Sequence, residues 1–126
     1  MSDQNVAIVT GGARGIGRGI AEALLATGMD VALFDLDADA LAATAAELMT
    51  AHLERSVVGI RTDITQRDEV EHAVATVIER FGRIDVLVNN AGIVRDRRLV
   101  KMEEDDWDSV IATNLKSQFL TCKAVA

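Results

Sequence analysis

The sequence predicts an α/β fold: a doubly wound, three-layer parallel sheet with helices on both faces. Three observations carry this prediction. Short apolar runs alternate with longer stretches of helical period. The runs are almost continuously apolar, as in strands buried on both faces, where a one-sided strand would alternate. The resulting order, β-α-β-α-β-α-β, requires right-handed crossovers onto a parallel sheet. The 126 residues suit one domain, 1–126, and a hydrophobic content of 49% excludes a disordered chain. With only 3% aromatic residues, the core must be aliphatic.

The first run, Val6 to Val9, is followed by a glycine-rich turn and a helix with Ile16, Ile20 and Leu24 on one face. The second run, Val31 to Phe34, leads to a helix that groups Leu41, Ala45 and Leu48. The third, Val57 to Ile60, leads to one that groups Val70, Val74, Val77, Ile78 and Phe81. The fourth, Ile84 to Val88, is interrupted only by Asp85 and is broken by Asn89-Asn90-Ala91-Gly92. A charged loop containing Arg95-Asp96-Arg97-Arg98 follows, and Trp107, Val110, Ile111, Leu115 and Phe119 then resume helical spacing. The last residue, Ala126, falls inside that apolar pattern with no Gly, Asn or Pro stop signal nearby. A sheet of four strands in the order 3-2-1-4, truncated on its C-terminal side, is therefore expected. No linker, repeat or low-complexity tract interrupts it.

Charge and cysteine content remove several function classes. A formal net charge of −7 disfavours a nucleic-acid partner, which would need clustered Lys and Arg. The single cysteine, Cys122, cannot form an internal disulfide, and no His/Cys cluster has metal-ligand spacing. A reducing cytoplasm is the expected location. Met1 to Asn5 carries no basic leader, and Val6 to Val9 is too short to enter a membrane.

The chemistry-bearing motif is Thr10-Gly11-Gly12-Ala13-Arg14-Gly15-Ile16-Gly17, between the first strand and the first helix. Glycines there let backbone N–H groups approach a pyrophosphate, and the helix N-terminus adds its positive dipole end. Asp35 ends the second strand 18 residues after Gly17, close to the roughly 20 expected of a ribose-binding acid. Taken alone, the glycines could be a tight turn and Asp35 a solvated acid. Strand, glycines, helix, strand and acid in that order favour a nucleotide site. No Gly-Lys-Ser/Thr follows, which excludes a Walker-type loop.

The spacing Gly11-x-x-x-Gly15-x-Gly17 after Thr10 resembles the short-chain dehydrogenase/reductase family and its Rossmann-type fold. Asp63-Ile64, Asn89-Asn90-Ala91-Gly92 and Asn114 extend the resemblance over the whole chain. It implies that Thr10, Gly11, Gly15, Ile16 and Gly17 hold the diphosphate. Asp63 would accept from the adenine amino group with Ile64 beside it, and Asn90, Ala91 and Gly92 would line the ribose. Asn89 would brace strand to strand. Asn114 would distort its helix and hold a water linked to the catalytic lysine, a supporting catalytic role; a structural amide is the alternative.

Within this resemblance Asp35 selects NAD through the ribose hydroxyls. A 2′-phosphate would meet like charge there, at up to about 4 kcal/mol for an effective dielectric near 20. Arg14 pulls the other way, because family members that prefer NADP carry a basic residue before the second glycine; NAD is ranked above NADP. Arg95 to Leu99, Lys101-Met102, Trp107 and Thr113-Asn114-Leu115 look most like the 3-oxoacyl-thioester reductase branch. Asp is unusual at the end of the second strand in that branch, so other alcohol or hydroxyacyl dehydrogenases stay open.

The family reaction is hydride transfer between nicotinamide and a carbonyl or alcohol carbon, with a Tyr hydroxyl as acid or base, a nearby Lys and an orienting Ser. The sequence contains no tyrosine, so no Tyr-x-x-x-Lys exists in it. It is expected to be the cofactor-binding half of such an enzyme, inactive alone. The alternative is a non-catalytic nucleotide-binding or interaction module that associates through its open sheet edge. An exposed fourth strand and an exposed face bearing Leu115, Phe119 and Val125 suggest a homo-oligomer. Lys101, Lys116 and Lys123 read as surface charges, His52 and His72 as surface histidines, and Cys122 as a packed thiol beside Leu115 and Phe119.

Overall fold

Four parallel strands and their crossover helices take up the alternating periods of the sequence, in a computed structural model that describes residues 4–91, 104–105, 108 and 117–125. In chain order the elements are β1 (Val6–Thr10), α1 (Gly15–Ala26), β2 (Asp30–Asp35), α2 (Ala38–Ala51), β3 (Val57–Arg61), α3 (Arg67–Phe81), β4 (Val86–Asn89) and α4 (Ser117–Val125). The sheet order is β3-β2-β1-β4, as expected from the sequence. Thr10 pairs with Phe34 on one side and Asn89 on the other, and Asp35 pairs with Arg61. The carboxyl ends of all four strands therefore line one edge of the sheet.

Successive strand side chains point to opposite faces, and β1 supplies both halves of the core. Val6 and Ile8, with Ala32 and Phe34 of β2, pack against Val70, Val74, Val77 and Phe81 of α3 and Leu120 of α4. Ala7 and Val9, with Val31 and Leu33, pack against Ala21 and Leu25 of α1 and Leu41 and Leu48 of α2. Helices thus cover both faces, giving the three layers.

Burial on both faces holds for β1 and for all of β2 but its last residue, and not for the outer strands. In β3, Val57 is buried while Gly59 and Arg61 are exposed, and β4 is only partly covered, with Val86 36% exposed. Each outer strand has a neighbour on one side only among the described residues.

The helices are also rolled relative to the expected faces. α1 buries Gly17, Ala21 and Leu25, leaving Ile16 77% exposed. α2 buries Thr44 alongside Leu41 and Leu48. α3 buries Ala73 and turns Ile78 outward. In α4, Leu120 and Thr121 face inward, while Phe119 is 57% exposed and Cys122 is exposed. The expected packed thiol is therefore corrected: a roll of one residue puts Cys122 on the outside.

Asp85, the polar interruption of the fourth run, extends the pairing of β1 with β4. Its N–H donates to Val6 O at 2.8 Å, and its carboxylate accepts from Val6 N at 2.8 Å. Arg83 holds the same carboxylate through Nε and Nη2 at 2.9 and 2.6 Å. The Arg83 side chain, followed by the Val6 N–H, lowers the Asp85 pKa below its ordinary value. Among the described residues, no helix is long and apolar enough to cross a membrane.

Candidate functional site

The turn after β1 is built by close approach. Gly11 and Gly15 have φ of +64° and +59°, a left-handed backbone that glycine adopts without steric cost. Gly11 N and Gly12 N both donate to Phe34 O, at 2.7 and 3.4 Å, which fastens the turn to the end of β2. A Cβ at Gly12 would lie 2.8 Å from Leu33, and one at Gly17 only 2.0 Å from Gly11 O. The glycines of this motif are needed for packing as well as for access.

α1 begins with no side-chain cap at Arg14 and no acidic residue in its first turn. Its first N–H groups have no partner within the helix. Together with the dipole end they make a surface suited to an anion. Exposed Ile16 lies in the same turn. These features fit a diphosphate, and the backbone of Gly15, Ile16 and Gly17 is what would hold it.

Thr44, unmarked by any motif in the sequence, supports this turn from beneath: its buried hydroxyl donates to Ala13 O. A polar residue on a helical face otherwise made by Leu41 and Leu48 is the signal that could have found it.

Asp35 is fixed by main-chain donors on both oxygens. Ala13 N donates to Oδ2 at 3.2 Å and Asp37 N to Oδ1 at 3.1 Å, and Asp35 O accepts from Thr62 N at 2.8 Å. A carboxylate oxygen has two lone pairs, so each retains capacity for a ribose hydroxyl. Arg14 forms an ion pair with Asp37, whose carboxylate also accepts from Ala40 N at 3.0 Å and caps α2. The Ala40 N–H is the largest of the influences that lower the Asp37 pKa, with the Arg14 guanidinium adding to it.

At the end of β4, the Thr10 hydroxyl accepts from Asn90 N and Ala91 N, at 3.0 and 3.1 Å. Asn90 Nδ2 donates to Gly11 O at 3.3 Å. The structure thus joins Thr10, Gly11, Gly17, Asn90 and Ala91 into one unit. Asn89 braces strand to helix rather than strand to strand: Thr121 Oγ1 donates to its Oδ1 at 2.7 Å, and its Nδ2 donates to Cys122 Sγ at 3.5 Å.

Beyond β3, Asp63 Oδ1 accepts from Thr65 N and Oγ1, at 3.0 and 2.6 Å, which orients the carboxylate. Ile64 is only 7% exposed and packs in the core, so it can offer a base little beyond its main chain. Gly92 and Asn114 lie outside the described residues.

A cavity of about 390 Å³ lies elsewhere, lined by Gln4, Gly28, His52 and Arg55 among others. These residues precede β1, β2 and β3, at the amino ends of the strands. Ligands of open parallel sheets bind at the carboxyl ends, where the strand order reverses, here between β1 and β4. The cavity therefore lies at the edge of the sheet opposite the glycine turn. His52 is half-buried rather than a surface histidine, with no partner for Nε2, because it ends α2 against this cavity; His72 is exposed as expected. Among the described residues, no group of three or more His, Cys, Asp or Glu side chains is placed to hold a metal.

A parallel sheet in this order, with a glycine turn at its switch point and an acid at the end of β2, defines a Rossmann-type α/β protein. The model of the short chain dehydrogenase family matches residues 5–126, and the chain belongs to that family. It is 43% identical over 122 residues to a 3-oxoacyl-(acyl-carrier-protein) reductase of Synechocystis sp., covering 96% of this chain and 49% of that protein. An alcohol dehydrogenase from the archaeon Thermococcus sibiricus, complexed with 5-hydroxy-NADP, matches with a TM-score of 0.93 and 36% identity over 98% of this chain and 52% of its own. A short chain dehydrogenase/reductase from Burkholderia phymatum, in complex with NAD, matches with a TM-score of 0.91 and 33% identity over 97% and 43%. The chain spans about half the length of these relatives.

Proposed function

We propose that this chain is the cofactor-binding half of an NAD-linked oxidoreductase that moves a hydride between nicotinamide and a carbonyl or hydroxyl carbon. The observation that carries the proposal is the placement of Asp35. Its carboxylate is held by two main-chain N–H groups beside a glycine turn whose helix has no side-chain cap. The turn binds the diphosphate through the main chain of Gly15, Ile16 and Gly17, while Gly11, whose N–H is bonded to Phe34 O, shapes it; Asp35 accepts from the ribose hydroxyls; Asp63 and Ile64 border the adenine; Asn90, Ala91 and Gly92 border the second ribose. Asn114 keeps the supporting catalytic role that the family resemblance suggests.

A 3-oxoacyl thioester is the substrate class suggested by the name of the Synechocystis relative. The tyrosine acid of such a reaction is not among these 126 residues, so turnover is not expected from them alone. A single cysteine suits a reducing cytoplasm.

Titration with NADH and NADPH, for the protein and its Asp35→Ala variant, tests the reading. NADH should bind the more tightly of the two. Loss of a charge-assisted hydrogen bond costs about 1.5–3 kcal/mol, so Asp35→Ala should weaken NADH by roughly 10- to 100-fold. Failure of both dinucleotides to bind the folded protein would reduce the glycine turn to a scaffold.

β4 favours a second reading, a non-catalytic module that associates with itself. Among the described residues its one partner is β1, and Val86 and Phe119 expose apolar surface. Sedimentation at rising concentration should show a homo-oligomer; a strict monomer would refute the association.

A further inference from the structure

Asp37 stands two residues beyond Asp35, is tied to the site by two contacts and caps α2 by a third. Its N–H donates to Asp35 Oδ1, its Oδ1 accepts from Ala40 N, and its Oδ2 is ion-paired with Arg14. Arg14 in turn follows Ala13, whose N–H donates to Asp35 Oδ2. Two carboxylates and one guanidinium thus form a single cluster where β1 and β2 end. The ion pair is solvent-exposed, with side-chain accessibilities of 68% for Arg14 and 44% for Asp37. Pairs of this kind contribute little to stability, so the arrangement calls for another explanation than holding the fold.

We propose that Asp37 is a cofactor-specificity residue: by engaging the Arg14 guanidinium it withholds that cation from a ribose 2′-phosphate and enforces the preference for NAD. This rests on the reading that Asp35 receives the adenosine ribose. A guanidinium is a strong phosphate ligand because its planar fork offers parallel N–H donors. Left free beside Asp35, it would offset the repulsion between that carboxylate and a 2′-phosphate. With Asp37 charged, the cluster carries a net negative charge and its cation is engaged. With Asp37 neutralised, the cluster balances and the cation is released. The ribose of NAD carries a neutral 2′-hydroxyl, so its binding should respond far less.

Asp37→Asn separates the charge from the cap, because Asn and Asp cap helices about equally well. Asp37→Ser does the same with a shorter side chain and serves if the first variant fails to fold, as judged by circular dichroism melts. Calorimetric titration of the intact protein with NADH and NADPH should show NADPH binding about 3- to 10-fold tighter in either variant, the size expected for an exposed charge interaction. NADH should change by less than about twofold on the same grounds. The gain should shrink in higher salt and disappear in the Arg14→Ala/Asp37→Asn double variant.

An unchanged NADPH-to-NADH ratio in Asp37→Asn, with Asp35→Ala still altering it, overturns the role of Asp37 and leaves that of Asp35 standing. A gain that survives in the double variant also overturns it, because loss of negative charge alone would then suffice. Absence of binding by either dinucleotide to folded wild type overturns this inference and the cofactor reading together.

Discussion

Replacing Gly17 by alanine would place a methyl carbon 2.0 Å from Gly11 O and 2.6 Å from Asn90 Nδ2. Ordinary van der Waals contact begins near 3.4 Å, so about 1.4 Å of movement is required. The neighbour that must move is main chain. Gly11 is held on its other side by its N–H to Phe34 O at 2.7 Å, and Asn90 by its N–H to the Thr10 hydroxyl at 3.0 Å. Helix propensity alone would favour alanine by about 1 kcal/mol, and overpacking at a fixed backbone should outweigh it. A net loss of roughly 1–2 kcal/mol is expected, a melting temperature lower by roughly 4–8 °C in a chain of this length.

Gly19→Ala is the control, since the same methyl in the same helix meets nothing within 4 Å. It should stabilise by about 0.5–1 kcal/mol. Gly15→Ala also enters open space but at a φ of +59°, and should cost about 1–2 kcal/mol from backbone strain alone. Thermal and urea unfolding followed by far-UV circular dichroism would rank the three. A Gly17→Ala variant as stable as wild type, or one that moves together with Gly19→Ala, would refute the account of the turn as a close-packed unit.

Thr10→Val removes the acceptor of two N–H groups, those of Asn90 and Ala91, and should lower stability by about 2–4 kcal/mol, while Thr10→Ser restores most of the loss in urea titrations. The pH dependence of stability has a definite sign. Asp85, lowered by Arg83 and the Val6 N–H, and Asp37, lowered by the Ala40 N–H and Arg14, both titrate below 3.8 in the folded protein. A depressed folded pKa contributes stability that is fully present above the unfolded value and lost as pH falls through the folded one. The urea midpoint should therefore decline below pH 3.8, and Asp85→Asn should make that decline shallower than in wild type. A wild-type midpoint that holds steady through this acid range would contradict the assignment.

Four strands, their order and a glycine turn beside Asp35 were all legible in the amino-acid sequence. Continuity of apolar residues marks a buried strand locally, and parallel connectivity then leaves few topologies. The same local patterns fix a helical face only to within about one residue, because adjacent side chains differ by about 100° around the axis. That is why the spacing predicts an inward Ile16 where Gly17 faces the turn, and a packed Cys122 where Leu120 and Thr121 are the buried pair.

Tertiary structure alone decided which polar groups meet. Arg14 reaches Asp37, Thr44 reaches Ala13 and Asp85 reaches Val6, across sequence separations of 23, 31 and 79 residues. No periodicity encodes such pairs, because each depends on how two elements are rolled and stacked on the sheet. Asn89 shows the same division: the sequence places it just past the fourth strand, whereas it is the last residue of β4, and its partners Thr121 and Cys122 belong to a helix about 30 residues away, chosen by docking.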